Sequence, residues 1–127
     1  MKAVHVLLLV AVFAVASLAA PLRAAEDPAG LWIGTTEVPD QGTDQVRLVI
    51  TRIDGGYGGL MTDSLRVVAG DALRDVQFAD GVLTFGFSLT DGTAMTMKLK
   101  VTGEKMAGEW QHPEGEAGAI TLERMKA

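Results

Sequence analysis

Seven turn signals divide the chain at nearly even spacing: Asp40-Gln41-Gly42, Asp54-Gly55-Gly56, Gly70-Asp71, Asp80-Gly81, Asp91-Gly92, Gly103-Glu104 and Pro113-Glu114-Gly115. Glycine, and aspartate before it, tolerate the positive φ of tight strand reversals, so each cluster lets a strand fold back on its neighbour. Between the clusters the hydrophobic period is two. Val46, Leu48 and Ile50 alternate with Arg47 and Thr51; Leu83, Phe85, Phe87 and Leu89 with Thr84, Gly86 and Ser88; Met95, Met97, Leu99 and Val101 with Thr96, Lys98 and Lys100. Such segments have one apolar and one wet face, which is the pattern of half-buried strands. The expected strands are Leu31 to Val38, Gln45 to Ile53, Tyr57 to Val68, Ala72 to Ala79, Val82 to Thr90, Thr93 to Thr102, Lys105 to Gln111 and Ala117 to Arg124. Eight strands joined by short hairpins predict an all-β fold, an eight-stranded antiparallel up-and-down barrel, because closing the meander removes both sheet edges. A two-sheet sandwich is the structural rival, but it usually needs longer crossovers than this spacing leaves.

The 25 residues at the N-terminus are a different polymer. Lys2 is followed by an uninterrupted apolar run from Val6 to Ala16 and by small residues up to Ala25, while all 15 glycines of the chain come later. That order is the n, h and c regions of a secretory signal peptide. The expected organisation is therefore a signal peptide over residues 1–25, with cleavage after Ala19, Ala24 or Ala25, and a single β-barrel domain over residues 26–127. The run is shorter than the roughly 20 residues a membrane span requires, although an uncleaved anchor from Ala3 to Ala20 is the alternative. Cleavage would leave no stable membrane span. The expected destination is the periplasm or the medium, and the Ala- and Val-rich leader suggests a bacterial cell. With no cysteine in the chain, the core must close by packing without disulfides or lipid attachment.

From residue 26 onward nine Lys and Arg face sixteen Asp and Glu. This balance argues against nucleic acid, whose phosphates need clustered cations. Catalysis is not expected either. His5 lies in the leader, which leaves His112 alone, and Ser64 and Ser88 have neither a Gly-x-Ser-x-Gly elbow nor a free histidine. His112, Glu114 and Glu116 share one glycine-containing loop and lack the rigid spacing of metal ligands, so a solvated turn is expected and no metal or other cofactor. Met61, Met95, Met97 and Met106 could bind Cu(I) through thioethers. Their core spacing favours apolar packing or the lining of an adaptable cavity. Gly55-Gly56-Tyr57-Gly58-Gly59 lies between two strands and cannot set phosphate on a helix N-terminus, so a flexible hairpin or a mouth loop is expected. Asp63-Ser64 interrupts the third apolar strand, either as a polar anchor in a barrel mouth or, the favoured reading, as a kink bonded to nearby backbone.

With the strands placed, Gly30-Leu31-Trp32 at the start of the first and Arg124 at the end of the last resemble the calycin group of lipocalin, fatty-acid-binding and avidin-like barrels. The resemblance implies that Trp32 looks inward across the closed end and that Arg124 stacks over it. Gly30-Leu31-Trp32-Ile33-Gly34, Leu48-Val49-Ile50, Asp54-Gly55-Gly56, Asp63-Ser64, the stretch from Val76 to Phe85, and Gly108-Glu109-Trp110 together also resemble small exported bacterial domains, most of them without known function. Fold alone does not license function. If the barrel is hollow, its apolar inner face implies a small hydrophobic ligand, such as a lipid or isoprenoid, lined by Phe85, Phe87, Met95, Met97 and Trp110. If it is filled, function moves to the loops, and the chain is an interaction, inhibitory or accessory module for an exported protein partner.

Overall fold

The computed structural model describes residues 27–126; the expected leader, residues 1–25, lies outside them. Eight strands follow one another along the chain: β1 (Gly30–Val38), β2 (Gly42–Ile53), β3 (Gly56–Asp63), β4 (Arg74–Ala79), β5 (Val82–Ser88), β6 (Ala94–Thr102), β7 (Lys105–Gln111) and β8 (Ala117–Arg124). They form a single antiparallel sheet in the order β3-β2-β1-β8-β7-β6-β5-β4. The sheet curls into a nearly closed up-and-down barrel. Among the described residues no helix is long and apolar enough to cross a membrane.

The turn chemistry acts as its residue types require. At Asp80-Gly81 both residues have positive φ, 53° and 78°, the backbone of a two-residue hairpin whose twist matches the strands it joins. Strict alternation then sorts the side chains. Along β6 every second residue, Met95, Met97, Leu99 and Val101, is buried while Thr96, Lys98 and Lys100 face water. The same rule in β2, β5, β7 and β8 directs Val46, Leu48, Ile50, Leu83, Phe85, Phe87, Met106, Ile120 and Leu122 into one core.

Besides an earlier start of β2, at Gly42 instead of Gln45, and an earlier end of β5, at Ser88 instead of Thr90, two departures from the expected strand map lie along the seam between β3 and β4. The third strand stops at Asp63 instead of running to Val68, because the Asp63 carboxylate accepts the backbone N–H groups of Val67 (3.0 Å) and Val68 (3.1 Å) and folds the chain over. Asp63-Ser64 is thus the kink. The fourth strand starts at Arg74, not Ala72, and a register shift between Arg74 and Gln77 follows, with Asp75 at φ 50°. Because β3 and β4 form no continuous ladder, the segment between them fills the gap. Ala72 bridges to Leu60 and Leu73 N–H donates to Gly59 O on one side, while Val68 bridges to Leu89 and Ala69 N–H donates to Ser88 O on the other. Tyr57 and Phe78 meet edge to face across the seam with centroids 6.2 Å apart.

The end of the barrel that holds the β2–β3, β4–β5 and β6–β7 turns is sealed. Trp32 is fully buried there, and its indole N–H donates to Pro28 O at 2.9 Å. The Arg124 guanidinium lies 4.3 Å from the centre of the same ring, and Trp32 and Arg124 are also direct cross-strand partners in the β1–β8 ladder. Arg124 donates in addition to Ala29 O (2.6 Å) and Asp27 O (2.7 Å), so one cation pins the segment before β1 across the barrel floor. Asp27 is held from the other side by an ion pair with Arg52 and by the Tyr57 hydroxyl. Replacing Trp32 with alanine should therefore lower unfolding free energy by about 3–5 kcal/mol, the range for losing a fully packed large aromatic. Urea titration of the variant checks this, and a loss below about 1 kcal/mol would contradict the indole's role as floor of the barrel.

Candidate ligand-binding cavity

The opposite end, where the β1–β2, β5–β6 and β7–β8 turns and the β3–β4 connection gather, is open and hollow. A cavity of about 270 Å³ descends from it between the sheet walls. For scale, an apolar cavity of about 150 Å³ accommodates benzene. Its wall is built from inward positions near the strand ends: Val46 and Met61 on β2 and β3, Phe87 on β5, Met95 and Met97 on β6, Trp110 on β7 and Ile120 on β8. Val67 and Val68, from the segment folded over by Asp63, complete one side.

Four of the five residues expected to line an interior site, Phe87, Met95, Met97 and Trp110, face this cavity. Phe85 does not. It sits one pleat deeper on β5, buried against Phe87 at a centroid distance of 6.2 Å, in the filled half of the barrel with Leu48, Leu83, Leu99 and Leu122. The interior is thus packed below and empty above. The methionines divide in the same way: Met61, Met95 and Met97 line the cavity, and Met106 is buried without touching it.

Trp110 is fixed by two features that hydrophobic periodicity does not reveal. Its indole N–H donates to Thr36 Oγ1 at 2.8 Å, and the Thr36 hydroxyl passes the bond on to Ala119 O at 2.6 Å. Both buried donors are satisfied, and the ring's orientation is set. The opposite cross-strand position is Gly118, where a Cβ would overlap the indole, so glycine supplies the space the ring occupies. A threonine on the inward face of β1 and a glycine within β8 are the signals in the sequence for this arrangement.

The rim is polar. Gln41, Asp44, Asp91, His112 and Glu116 line it, and among the described residues no Lys or Arg does. Of these Asp44 is the most enclosed, 3% exposed, on the inward face of β2. Its Oδ1 accepts from Leu65 N–H (3.0 Å) and Ser64 Oγ (3.2 Å), which ties the kinked segment to β2. Burial, followed by the adjacent Asp63 carboxyl, raises the pKa of Asp44 above the usual aspartate value, and the bond from Leu65 only partly offsets this. Asp91, fully exposed, is shifted the other way: the Thr93 hydroxyl and amide stabilise its charged form. His112 belongs to its turn, with Nδ1 accepting the Glu114 N–H at 3.1 Å and its own N–H donating to Glu116 O at 2.7 Å. Among the described residues no group of three or more His, Cys, Asp or Glu is placed to hold a metal ion. His112 and Glu116 were expected only in a solvated turn; the fold adds that this turn forms part of the cavity rim.

No protein-family profile matches the chain, and no curated protein does. Among solved structures, a point mutant of the fluorescent protein UnaG superposes with a TM-score of 0.51 at 12% sequence identity, over 78% of this chain and 96% of that one. At that identity the likeness concerns the fold alone. Together with the eight-stranded, nearly closed meander, it makes this a calycin-like barrel.

Two outcomes follow from the rim and the wall. Thr36→Val keeps the shape of the side chain but leaves the Trp110 N–H and Ala119 O without their partner, so it should cost about 1–3 kcal/mol and alter tryptophan emission. An unchanged urea midpoint would show that the hydrogen-bonded relay through Thr36 contributes nothing to stability. Because the folded-state pKa of Asp44 is raised, its contribution to stability is fully present below the ordinary aspartate value and is lost as pH rises through the raised one. Asp44→Asn has no such titration. Wild type relative to this variant should therefore be most stable at the acid end of a series from about pH 3 to about pH 7, and the variant should gain steadily toward the neutral end. A difference that stays flat with pH would contradict the raised value.

Proposed function

We propose that this chain is an exported, non-enzymatic barrel that binds one small hydrophobic molecule in its open half. The observation that carries the proposal is the 270 Å³ cavity lined by Phe87, Met95, Met97 and Trp110, which narrows onto a packed floor. Pre-formed concave sites with apolar walls and a few convergent polar groups are the usual form of small-molecule sites, and their volumes begin near 300 Å³. A ligand of one or two rings, or a short chain, matches this space; a long-chain lipid would have to leave most of its length outside. Non-enzymatic binding is favoured by the residues themselves, since among the described residues His112 is the histidine at the rim and is engaged in its turn, and no serine lines the wall. The likeness to a fluorescent barrel supports the architecture and carries no ligand with it.

Export rests on the leader: a lysine, an eleven-residue apolar run and small residues before the first turn of the domain. The same composition supports a bacterial source and a periplasmic or extracellular destination. A barrel that functions there without a disulfide depends on its packed end for stability, which the sealed floor supplies.

Titration of the purified protein with the apolar dye ANS should show saturable binding of about one equivalent, in line with a single cavity of this size. Native mass spectrometry of material from the expression host should show a bound small molecule. Absence of both would sink the binding reading.

A further inference from the structure

We infer that the cavity takes a planar aromatic molecule of about two fused rings, and that the thioethers of Met95 and Met97 make it prefer such a ring system to a saturated body of the same size. This inference rests on the binding reading above and adds the chemistry of the ligand body. Size limits that body first. The cavity of about 270 Å³ is nearly twice the apolar space of about 150 Å³ that accommodates benzene. Among the described residues every buried side-chain nitrogen and oxygen has a hydrogen-bond partner. The interior therefore offers a ligand no unpaired polar atom, and a polar group carried into it would give up water for nothing. What the ligand meets is apolar surface, so the kind of apolar surface decides.

One wall of the cavity is a continuous patch of aromatic and thioether groups. Met95 on β6 stands directly across from Phe87 on β5, and Met97 directly across from Trp110 on β7. Directly opposed residues bring their Cβ atoms within about 5 Å of each other, so these four inward side chains, all part of the lining, adjoin one another. Both rings are held in place. Phe87 leans on Phe85 with centroids 6.2 Å apart, and the Trp110 indole is bonded to Thr36 and fills the space left at Gly118. Met61 adds a third thioether from β3. Sulfur makes a favourable contact with the edge of an aromatic ring, which a saturated ring cannot return. Fixed phenyl and indole rings likewise gain edge-to-face or offset contacts from an aromatic guest alone. The patch thus distinguishes its ligands by the chemistry of their rings, where shape alone would not.

Two alcohols with one carbon skeleton isolate the effect: 2-naphthol and its saturated counterpart decahydro-2-naphthol, each titrated calorimetrically into the full chain at neutral pH. Both are uncharged there and their skeletons match, so burial of apolar surface alone gives the aromatic member no advantage. 2-Naphthol is expected to bind at least about fivefold tighter. In the double variant Met95→Leu with Met97→Leu, a swap that conserves volume and so spares the fold, the two alcohols should bind within about twofold of each other. Equal binding in the native chain overturns the inference, and so does a preference for 2-naphthol that the double variant leaves intact. Methionine methyl NMR locates the guest in the native chain. The ring current of 2-naphthol should move the ε-methyl signals of Met95 and Met97 and leave in place that of Met106, which is buried outside the cavity. Should the double variant fail to fold, the native ranking and these signals decide, and unmoved Met95 and Met97 methyls overturn the inference. If neither alcohol binds, the cavity reading itself falls. If both bind alike, only the aromatic preference falls.

Discussion

The Trp32 ring under the Arg124 guanidinium does more than fill one end. An eight-stranded barrel is only just wide enough for side chains to fill, so its ends can be closed by single residues or left open. Here one residue from the first strand and one from the last, paired in the β1–β8 ladder, seal the floor and join the two ends of the meander. Arg124 ties down the carbonyls of Asp27 and Ala29 as well, so the approach to β1 and the exit from β8 are held by one side chain. Burial of Trp32, Leu48, Leu83, Leu99 and Leu122 around that contact gives a compact lower half. The upper half can then remain hollow, because it is not the part that holds the barrel together.

Closure on the other side of the barrel is achieved differently. Where β1 and β8 share a ladder, β3 and β4 share none: Ala72 and Leu73, just before β4, reach β3 by one bridge and one hydrogen bond, and Tyr57 and Phe78 touch edge to face. An open edge is a liability for a sheet. Two aspartates answer it: Asp63 turns the chain by accepting from Val67 and Val68, and Asp44 fastens the turned segment to β2 through Leu65 and Ser64. The same pair places Val67 and Val68 in the cavity wall. Sealing the seam and shaping the mouth are consequently one structural act, and the side chains that do it are acidic.

Most of the fold was legible because it depends on local chemistry. Glycine and aspartate at turns, and a period of two between them, are properties of a few neighbouring residues, whereas the sealed end followed only from the resemblance of Gly30-Leu31-Trp32 and Arg124 to calycin barrels. The cavity was less legible, for a reason of geometry. Alternation tells inward from outward but not depth along the barrel axis, so Phe85 and Phe87 read alike although one lies in the packed half and the other in the wall. The strand break after Asp63 was visible only as a polar interruption, and its consequence depended on amides four and five residues ahead. Thr36 and Gly118, which hold and admit the Trp110 ring, are 82 positions apart in sequence and meet at it only through the β1–β8–β7 order.

The placement of methionine follows from the same division of the barrel. Leucine predominates in the packed half, where a well-defined shape favours one arrangement, whereas Met61, Met95 and Met97 stand where the wall borders empty space. Unbranched thioethers adjust at little cost and make a wall that can close around different apolar shapes. Such a wall discriminates poorly by shape, and an apolar pocket gains only about 1–3 kcal/mol of selectivity per methylene in any case. Polar groups at a fixed position discriminate far better, because a mismatched ligand leaves them unpaired or opposed. In this barrel the fixed polar groups are on the rim, anchored to β2 and to the turns, while the adaptable side chains line the space below them.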